Sequence, residues 1–279
     1  LPWEGVYHPD LAPDLAGPVD VDVYVKDHFK PGRPSIGVLF YRAHWMSGNL
    51  QAIDALIRSL EGLGANVLPV FSYSLKHNPD EESEPNRTFT RILTGADGLP
   101  RVHCIVNTMA MSMSDLNSEP EFGGPTFAEG WPVDYLQQLD VPMLQGIIST
   151  GTEADWQESS LGLGPIDTAM NVALPEFDGR IITVPISFKE ETQTPRNGPL
   201  NARLQRYAPR KDRVDLVARL AVKSASLRLK SNGEKRIAII LSNYPTKDAR
   251  IGNAVGLDTP ASVINLLHAM KDAGYQVED

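Results

Sequence analysis

The segment YRAHWMSGN (41–49) sets an arginine, a histidine and a tryptophan within four positions of one another. Arg42 could grip a carboxylate with two parallel hydrogen bonds, and His44 could bind a metal or relay a proton. An equally open reading makes Trp45 a packing residue, with Ser47 and Asn49 capping the next helix. Further along, STGTEADWQESSLGLG gathers Glu153, Asp155 and Glu158 around Trp156, the densest local carboxylate set in the chain. Such carboxylates could serve as proton acceptors, but acids in a first helical turn also complement the helix dipole. In ALPEFDG, Glu176 and Asp178 stand two apart, with Asp-Gly reading as an ordinary turn. Finally, NYPTKDARIGNAVGLDTPAS places Lys247, Arg250 and Asn253 ahead of a helix start, a possible anion cradle, where a cap at Asp258 or Thr259 explains part of the pattern.

Other chemistries are missing from the pattern. The six histidines are scattered, no HxxxH or CxxC occurs, and neither a Walker A loop nor a GxGxxG is present, so the chain is not expected to bind ATP itself. Met109, Met111 and Met113 alternate in a connection of 25 residues, reading either as packing or as a soft platform for a flat ligand.

These residues need elements to position them. From Arg33 onward, short β-branched runs alternate with amphipathic stretches, the mark of βαβ units and a parallel sheet. Strands are expected at SIGVLFY (35–41), NVLPVF (66–71), RVHCIVN (101–107), VPMLQGII (141–148) and RIITVPISF (180–188). Pro69 hints that the second is an edge strand or ends early. The first helix, NLQAIDALIRSLEGLG, puts Ile53, Leu56, Ile57, Leu60 and Leu63 on one face, with Gly62 and Gly64 as stops. Shorter helices are expected in TFTRILTGADG, at 133–139 and at 165–174, and an acidic solvated loop at NPDEESEPN. The fold class is therefore α/β, a doubly wound, mostly parallel sheet of flavodoxin-like or Rossmann-like kind. Residues 1–34 read as an extended lead-in, 35–190 as the first α/β domain, and 191–233 as a linker and basic helix. In that helix Val214, Val217, Leu220, Ala221 and Leu227 would form the apolar face. Residues 234–279 read as the first strand–helix unit of a second α/β domain, with strands at KRIAIILS and from Gln276.

The composition bounds the answer further. The 279 residues carry 26 Lys+Arg against 35 Asp+Glu, a net charge of −9, which disfavours nucleic acid. The charge is uneven: between Arg196 and Arg236 twelve Lys/Arg face three acids, a net +9 that leaves −18 elsewhere. That basic helix is either a solvated face or a dock for an acidic partner. The single Cys104 cannot close an internal disulfide and reads as a buried thiol in a reducing, cytoplasmic setting. No apolar run reaches the ~18 residues of a membrane span. The start LPWEGVYHP and the end GYQVED suggest a piece of a longer polypeptide.

Longer blocks carry a resemblance. YHPD (7–10), GVLFYRAHWMSGN (37–49) with the following IDALIRSLEGLGANVLPVF, WQESSLGLGPIDTAMNVALPEFDGRI (156–181) and KRIAIILSNYPTKDARIGNAVGLDTPASVINLL (235–267) resemble the large subunits of the cobaltochelatase and magnesium chelatase family. SNYPTKDARIGNAVGLDTPAS and the YRAH tetrad look like the cobalt branch. The resemblance implies a cobaltochelatase role in cobalamin biosynthesis, inserting Co²⁺ into hydrogenobyrinic acid a,c-diamide, with the magnesium branch and protoporphyrin IX as the alternative. ATP and Mg²⁺ would be bound by separate AAA+ ATPase partner subunits. Metal insertion needs a macrocycle platform, a base for two pyrrolic protons and ligands that strip water from the cation. The resemblance thus implies Arg42, Trp45, Trp156, Arg250 and Asn253 for the tetrapyrrole, Glu153, Glu158 and Glu176 for proton chemistry, and His44 for metal. The family's His-Gly-x-x-Glu-type motif does not occur in these residues, so the isolated chain is expected to lack chelatase activity. A reading of another class is a non-catalytic α/β module that binds small molecules or docks partners.

Overall fold

A computed structural model describes residues 1–11, 19–75, 88–113, 134–191, 205–242, 252–253 and 256–278. Lys247, Arg250, the NPDEESEPN loop and most of the connections at 108–132 and 191–204 lie outside the described residues. The chain divides into two units, Leu1–Ala225 and Ser226–Asp279.

The first unit is built on one seven-stranded sheet in the order β1-β3-β2-β4-β5-β6-β7. Its strands are β1 (Glu4–Val6), β2 (Ser35–Tyr41), β3 (Asn66–Ser72), β4 (Cys104–Asn107), β5 (Met143–Ile148), β6 (Ile181–Glu191) and β7 (Gln205–Pro209). The middle five are parallel, while β1 and β7 pair antiparallel at the two edges. All five strands expected from the β-branched runs are present, and their order is the flavodoxin-like 2-1-3-4-5. The chain reverses its direction of winding between β2 and β4. The crevice beyond the carboxyl ends of those two strands is therefore where an open α/β sheet binds ligands.

Both faces of the sheet are covered, which is why its strands read as continuous apolar runs rather than alternating ones. On one face lie α3 (Gln51–Gly62), through Ile53, Leu56, Ile57 and Leu60, and α8 (Lys211–Arg228). On the other, Tyr24 of α1 (Val21–His28) and Leu139 of α4 (Asp134–Leu139) pack with Leu93 and Val102. The connections between β5 and β6 are α5 (Glu153–Glu158), α6 (Pro165–Thr168) and α7 (Leu174–Glu176), the last two joined by a wide helical turn at Ala169–Ala173.

Several expectations are corrected. Residues 1–34 are not merely extended: they supply β1 and α1, and the YHPD motif clasps α3. Tyr7 donates to Asp54 (2.7 Å), His8 Nε2 meets Glu61 (3.0 Å), and Asp10 pairs with Arg58. Segment 191–233 contributes β7, which adds to β6 as an edge strand. β3 is not an edge; Pro69 falls where the short β1 ladder ends, so its missing N–H breaks nothing, and its carbonyl still accepts from Tyr7 (3.0 Å). Leu63 lies past the end of α3 and is largely exposed.

The loop expected after β2 is mostly helical, as α2 (Arg42–Ser47), closed by Gly48 in the left-handed region at φ 67°. Asn49 does not cap α3. It accepts from Tyr207 N–H (3.0 Å) and donates to the Gln205 carbonyl (3.4 Å), fastening β7. In α8 the buried face is Val214, Val217, Ala218, Ala221 and Ala225, while Leu220 and Leu227 are exposed. The alanines let the helix sit close to its neighbours; the leucines occupy the opposite side of the 3.6-residue turn.

In the second unit α9 (Thr259–Asp272) is capped by Asp258, whose side chain accepts from Ala261 N–H (3.0 Å). Asn232 donates to the Ala273 carbonyl (2.8 Å) at the other end of that helix. The expected strands at 235–242 and from Gln276 are not formed, because neither segment has a ladder partner among the described residues. Ile237, Ile239, Ile240 and Leu241 are exposed in consequence.

Candidate functional site

Where β4 leaves the sheet, the run CIVN ends on a polar residue that is wholly buried, Asn107. Its Oδ1 accepts from Met109 N–H (3.1 Å), an i to i+2 turn that swings the chain across the carboxyl edge of the sheet. Beside it in the ladder stands Gln145, a polar residue within an otherwise apolar strand. Gln145 accepts from Asn107 Nδ2 (3.3 Å) and donates to the Met109 carbonyl (3.1 Å). A third side chain joins them: Arg180, just before β6, donates through one terminal nitrogen to both the Met109 carbonyl and Gln145 Oε1, each at 3.0 Å.

The other terminal nitrogen of Arg180 pairs with Asp178 at 2.6 Å. Gly179, at φ 70°, makes the turn that folds the two charged side chains to the same side. Asp178 also accepts from the Ser112 hydroxyl (2.7 Å) and from Met113 N–H (2.9 and 3.0 Å). The carboxylate therefore ties the methionine segment 109–113 to the sheet. Burial pulls the Arg180 pKa below its ordinary value, opposed by the neighbouring Asp178 charge. Among the described residues its Nε is buried with no hydrogen-bond partner. An unmade buried donor costs about 1–3 kcal/mol, so this one requires an explanation.

Of these residues Arg180 and the 109–113 segment line a cavity of about 120 Å³, together with Tyr41 and Tyr73 to Leu75. It lies at the carboxyl ends of β2, β3 and β4, at the switch point of the sheet. Tyr41 donates to the Ala110 carbonyl (3.0 Å), and burial raises its phenol pKa. Met109 and Met113 are buried as packing residues, whereas Met111 is partly exposed with φ 70°. A second buried carboxylate, Asp167, organises the loop after β5 by accepting from Ser149 Oγ (2.6 Å), Thr150 Oγ1 (2.9 Å) and Thr150 N–H (3.0 and 3.1 Å).

The residues singled out from sequence are placed elsewhere. Arg42 donates to the carbonyls of Pro2 (2.6 Å) and Leu1 (3.2 Å) and lies 4.9 Å over Trp3. Trp45 is stacked on Phe71, 4.5 Å apart and nearly parallel. His44 packs edge-on to Tyr207 at 5.1 Å and 6.4 Å from Tyr41; burial lowers its pKa, favouring the neutral ring. Glu153 pairs with Arg210 (2.7 Å), and Trp156 lies beneath Arg210 and Arg213 at 5.2 and 4.9 Å. Glu158, Glu176 and Asn253 are exposed, the last in the second unit. Among the described residues no group of three or more His, Cys, Asp or Glu is placed to hold a metal ion.

Sequence reasoning passes over Asn107, Gln145 and Arg180 and sees in Asp178 only a turn residue, with its neighbour Glu176 as the candidate. A signal for Asn107, Gln145 and Arg180 exists: a polar residue inside or at the end of a buried apolar run is more informative than an acid in an exposed turn; Asp178, in a turn between two exposed residues, carries no such signal.

Comparison with known proteins places this architecture. Residues 1–279 match the family model described as CobN/Magnesium Chelatase. The chain is 39% identical over 252 residues to the aerobic cobaltochelatase subunit CobN of Pseudomonas aeruginosa, covering 90% of this chain and 18% of that protein. It is 29% identical over 288 residues to the chloroplastic magnesium-chelatase subunit ChlH of Oryza sativa subsp. indica, covering 98% and 18%. Among solved structures, the catalytic subunit of cobaltochelatase from Mycobacterium tuberculosis matches with a TM-score of 0.75 and 36% identity, over 100% of this chain and 20% of that one. The chain thus spans about a fifth of the length of these relatives. With every residue inside the family model and the sheet shared with a solved relative, the chain belongs to the CobN/magnesium chelatase family.

Proposed function

We propose that this chain is part of the large subunit of a cobaltochelatase that inserts Co²⁺ into hydrogenobyrinic acid a,c-diamide, with ATP and Mg²⁺ bound by separate AAA+ partner subunits. The observation that carries the cobalt reading is the contrast in identity. Cobaltochelatase subunits match at 37% and 39%, magnesium-chelatase subunits at 26–29%. Insertion exchanges two pyrrolic N–H protons for the divalent cation, so the whole subunit has to supply a base, a macrocycle surface and cation ligands. For the first unit of this chain the geometry supports a binding role: its cavity is walled by tyrosines, methionines and one buried guanidinium.

The full-length protein, mixed with its ATPase partners, Mg-ATP, Co²⁺ and the corrinoid, should change the corrinoid absorbance as metal enters. Protoporphyrin IX with Mg²⁺ is the parallel arm. A preference for that arm would move the protein to the magnesium branch, and no change in either would refute a chelatase role.

A second role, docking of an acidic partner subunit, is supported by the outer face of α8, where Arg219 and Lys223 are exposed beside Leu216 and Leu220. Arg210 and Arg213 are engaged over Trp156. Charge reversal at Arg219 and Lys223 should therefore weaken assembly with the ATPase subunits, and unchanged assembly would leave α8 a solvated face.

A further inference from the structure

We infer that residues 235–242 and the stretch from Tyr275 are neighbouring parallel strands of a second sheet, whose flanking strands come from the same polypeptide outside these 279 residues. This inference stands whichever metal the whole protein inserts.

In KRIAIILS the side chains of Ile237, Ile239, Ile240 and Leu241 are all exposed, Ile240 at 90%. Successive residues of an extended segment point to opposite sides, so Ile239 and Ile240 put apolar surface on both. A run that is apolar on both sides belongs to a strand covered on both faces, as β2 and β3 of the first unit are. α9 has the same deficit. None of its residues is buried: Val263, Leu267 and Met270, at i, i+4 and i+7, are only partly covered, and Ile264 and Leu266 are exposed. A 14-residue helix without a buried face is marginal in water, so this one needs a sheet to pack on.

The two segments start side by side. Asn232 Nδ2 donates to the Ala273 carbonyl (2.8 Å), and Lys235 Nζ lies 5.8 Å from the centre of the Tyr275 ring. Between them in sequence stands α9, which ends in a defined reversal: Gly274, at φ 85°, donates to the Lys271 carbonyl and Tyr275 N–H to the Met270 carbonyl, each at 3.0 Å. A segment, a helix and a second segment whose starts are adjacent make the strand–helix–strand unit, in which the two strands run parallel. One such unit cannot cover its own apolar faces. Relatives of the CobN type, of which this chain spans 18%, have ample polypeptide for the remaining strands. Residues joined to the unit in sequence are also the nearest occupant, because the connection makes their pairing intramolecular.

The test is amide hydrogen exchange on the full-length protein, read for peptides covering 235–242 and 259–278. Both should exchange at least about a hundredfold more slowly than the same sequences as free peptides, at any protein concentration and with no partner subunit added. Ile239→Asp and Ile240→Asp should each remove that protection, with β2 retaining its own as the check that the first unit is folded. If neither variant accumulates, exchange in the parent still decides. Exchange at the free-peptide rate would overturn the inference. Protection that grows with concentration would assign the face to a second copy, and protection that appears only with the ATPase subunits would assign it to them; either overturns the intramolecular sheet. Loss in only one of the two Asp variants would overturn a strand covered on both faces.

Discussion

Asp178 and Arg180, separated by the single residue Gly179, form an ion pair of 2.6 Å in which both side chains are all but excluded from water. Each also reaches away from the other, Asp178 to the methionine segment and Arg180 to Gln145. One turn thereby links β5, β6 and the connection leaving β4. A buried pair of this kind adds little stability compared with an apolar pair, but removing one member leaves an uncompensated charge.

Asp178→Asn should therefore destabilise the chain by about 3–5 kcal/mol in urea denaturation. Glu176→Gln, two residues earlier at the exposed end of α7, should stay within about 0.5 kcal/mol of the parent. Equal effects at the two positions would show that the pair does not hold the segment.

Met111 offers a test of backbone strain. With φ at 70°, Met111→Gly should be more stable than Met111→Ala by about 1 kcal/mol, the reverse of the usual order of these two residues. Thermal or urea unfolding of the two variants reads the difference, and an Ala variant at least as stable as the Gly variant would remove the strain from the account.

His44 makes stability depend on pH in a defined sense. Burial lowers its pKa below the ordinary 6.5, so in acid the unfolded chain takes up the proton before the folded chain does. Its contribution is complete above 6.5 and is lost as pH falls from there through the folded value. Asp54, raised by burial, acts in the opposite sense and favours the fold as pH falls, so the comparison must be between variants. Between about pH 7.5 and pH 5.5 the urea midpoint should fall more in the parent than in His44→Gln. Parallel pH profiles would show that His44 is hydrated.

Cys104 should be chemically silent. It is fully buried, and burial pushes its thiol up to about 12. Iodoacetamide near neutral pH should label it only when the chain unfolds, at the rate of unfolding. Modification at the rate of a free thiol would place the side chain at the surface.

The sequence by itself determined the sheet and the family. Strands at 35–41, 66–71 and 141–148 were legible because both sheet faces are covered, which makes central strands continuous apolar runs. The blocks around YRAH and GLDTPAS carried the family resemblance independently of any contact. Edge elements were less legible: β1 and β7 are three and five residues long and are defined only by their antiparallel partners. The expected strand at 235–242 has the right composition and no ladder partner among the described residues, since composition cannot supply a neighbour.

Only the tertiary structure decided the site. Clustering of carboxylates and aromatics along the chain pointed to 41–49 and 153–158, where the side chains pack and pair locally. The buried polar network instead joins Asn107, Gln145, Asp178 and Arg180, residues that come from three parts of the chain. Hydrogen bonding between buried groups depends on distance in space, and the crossing of parallel strands, not spacing in sequence, sets that distance.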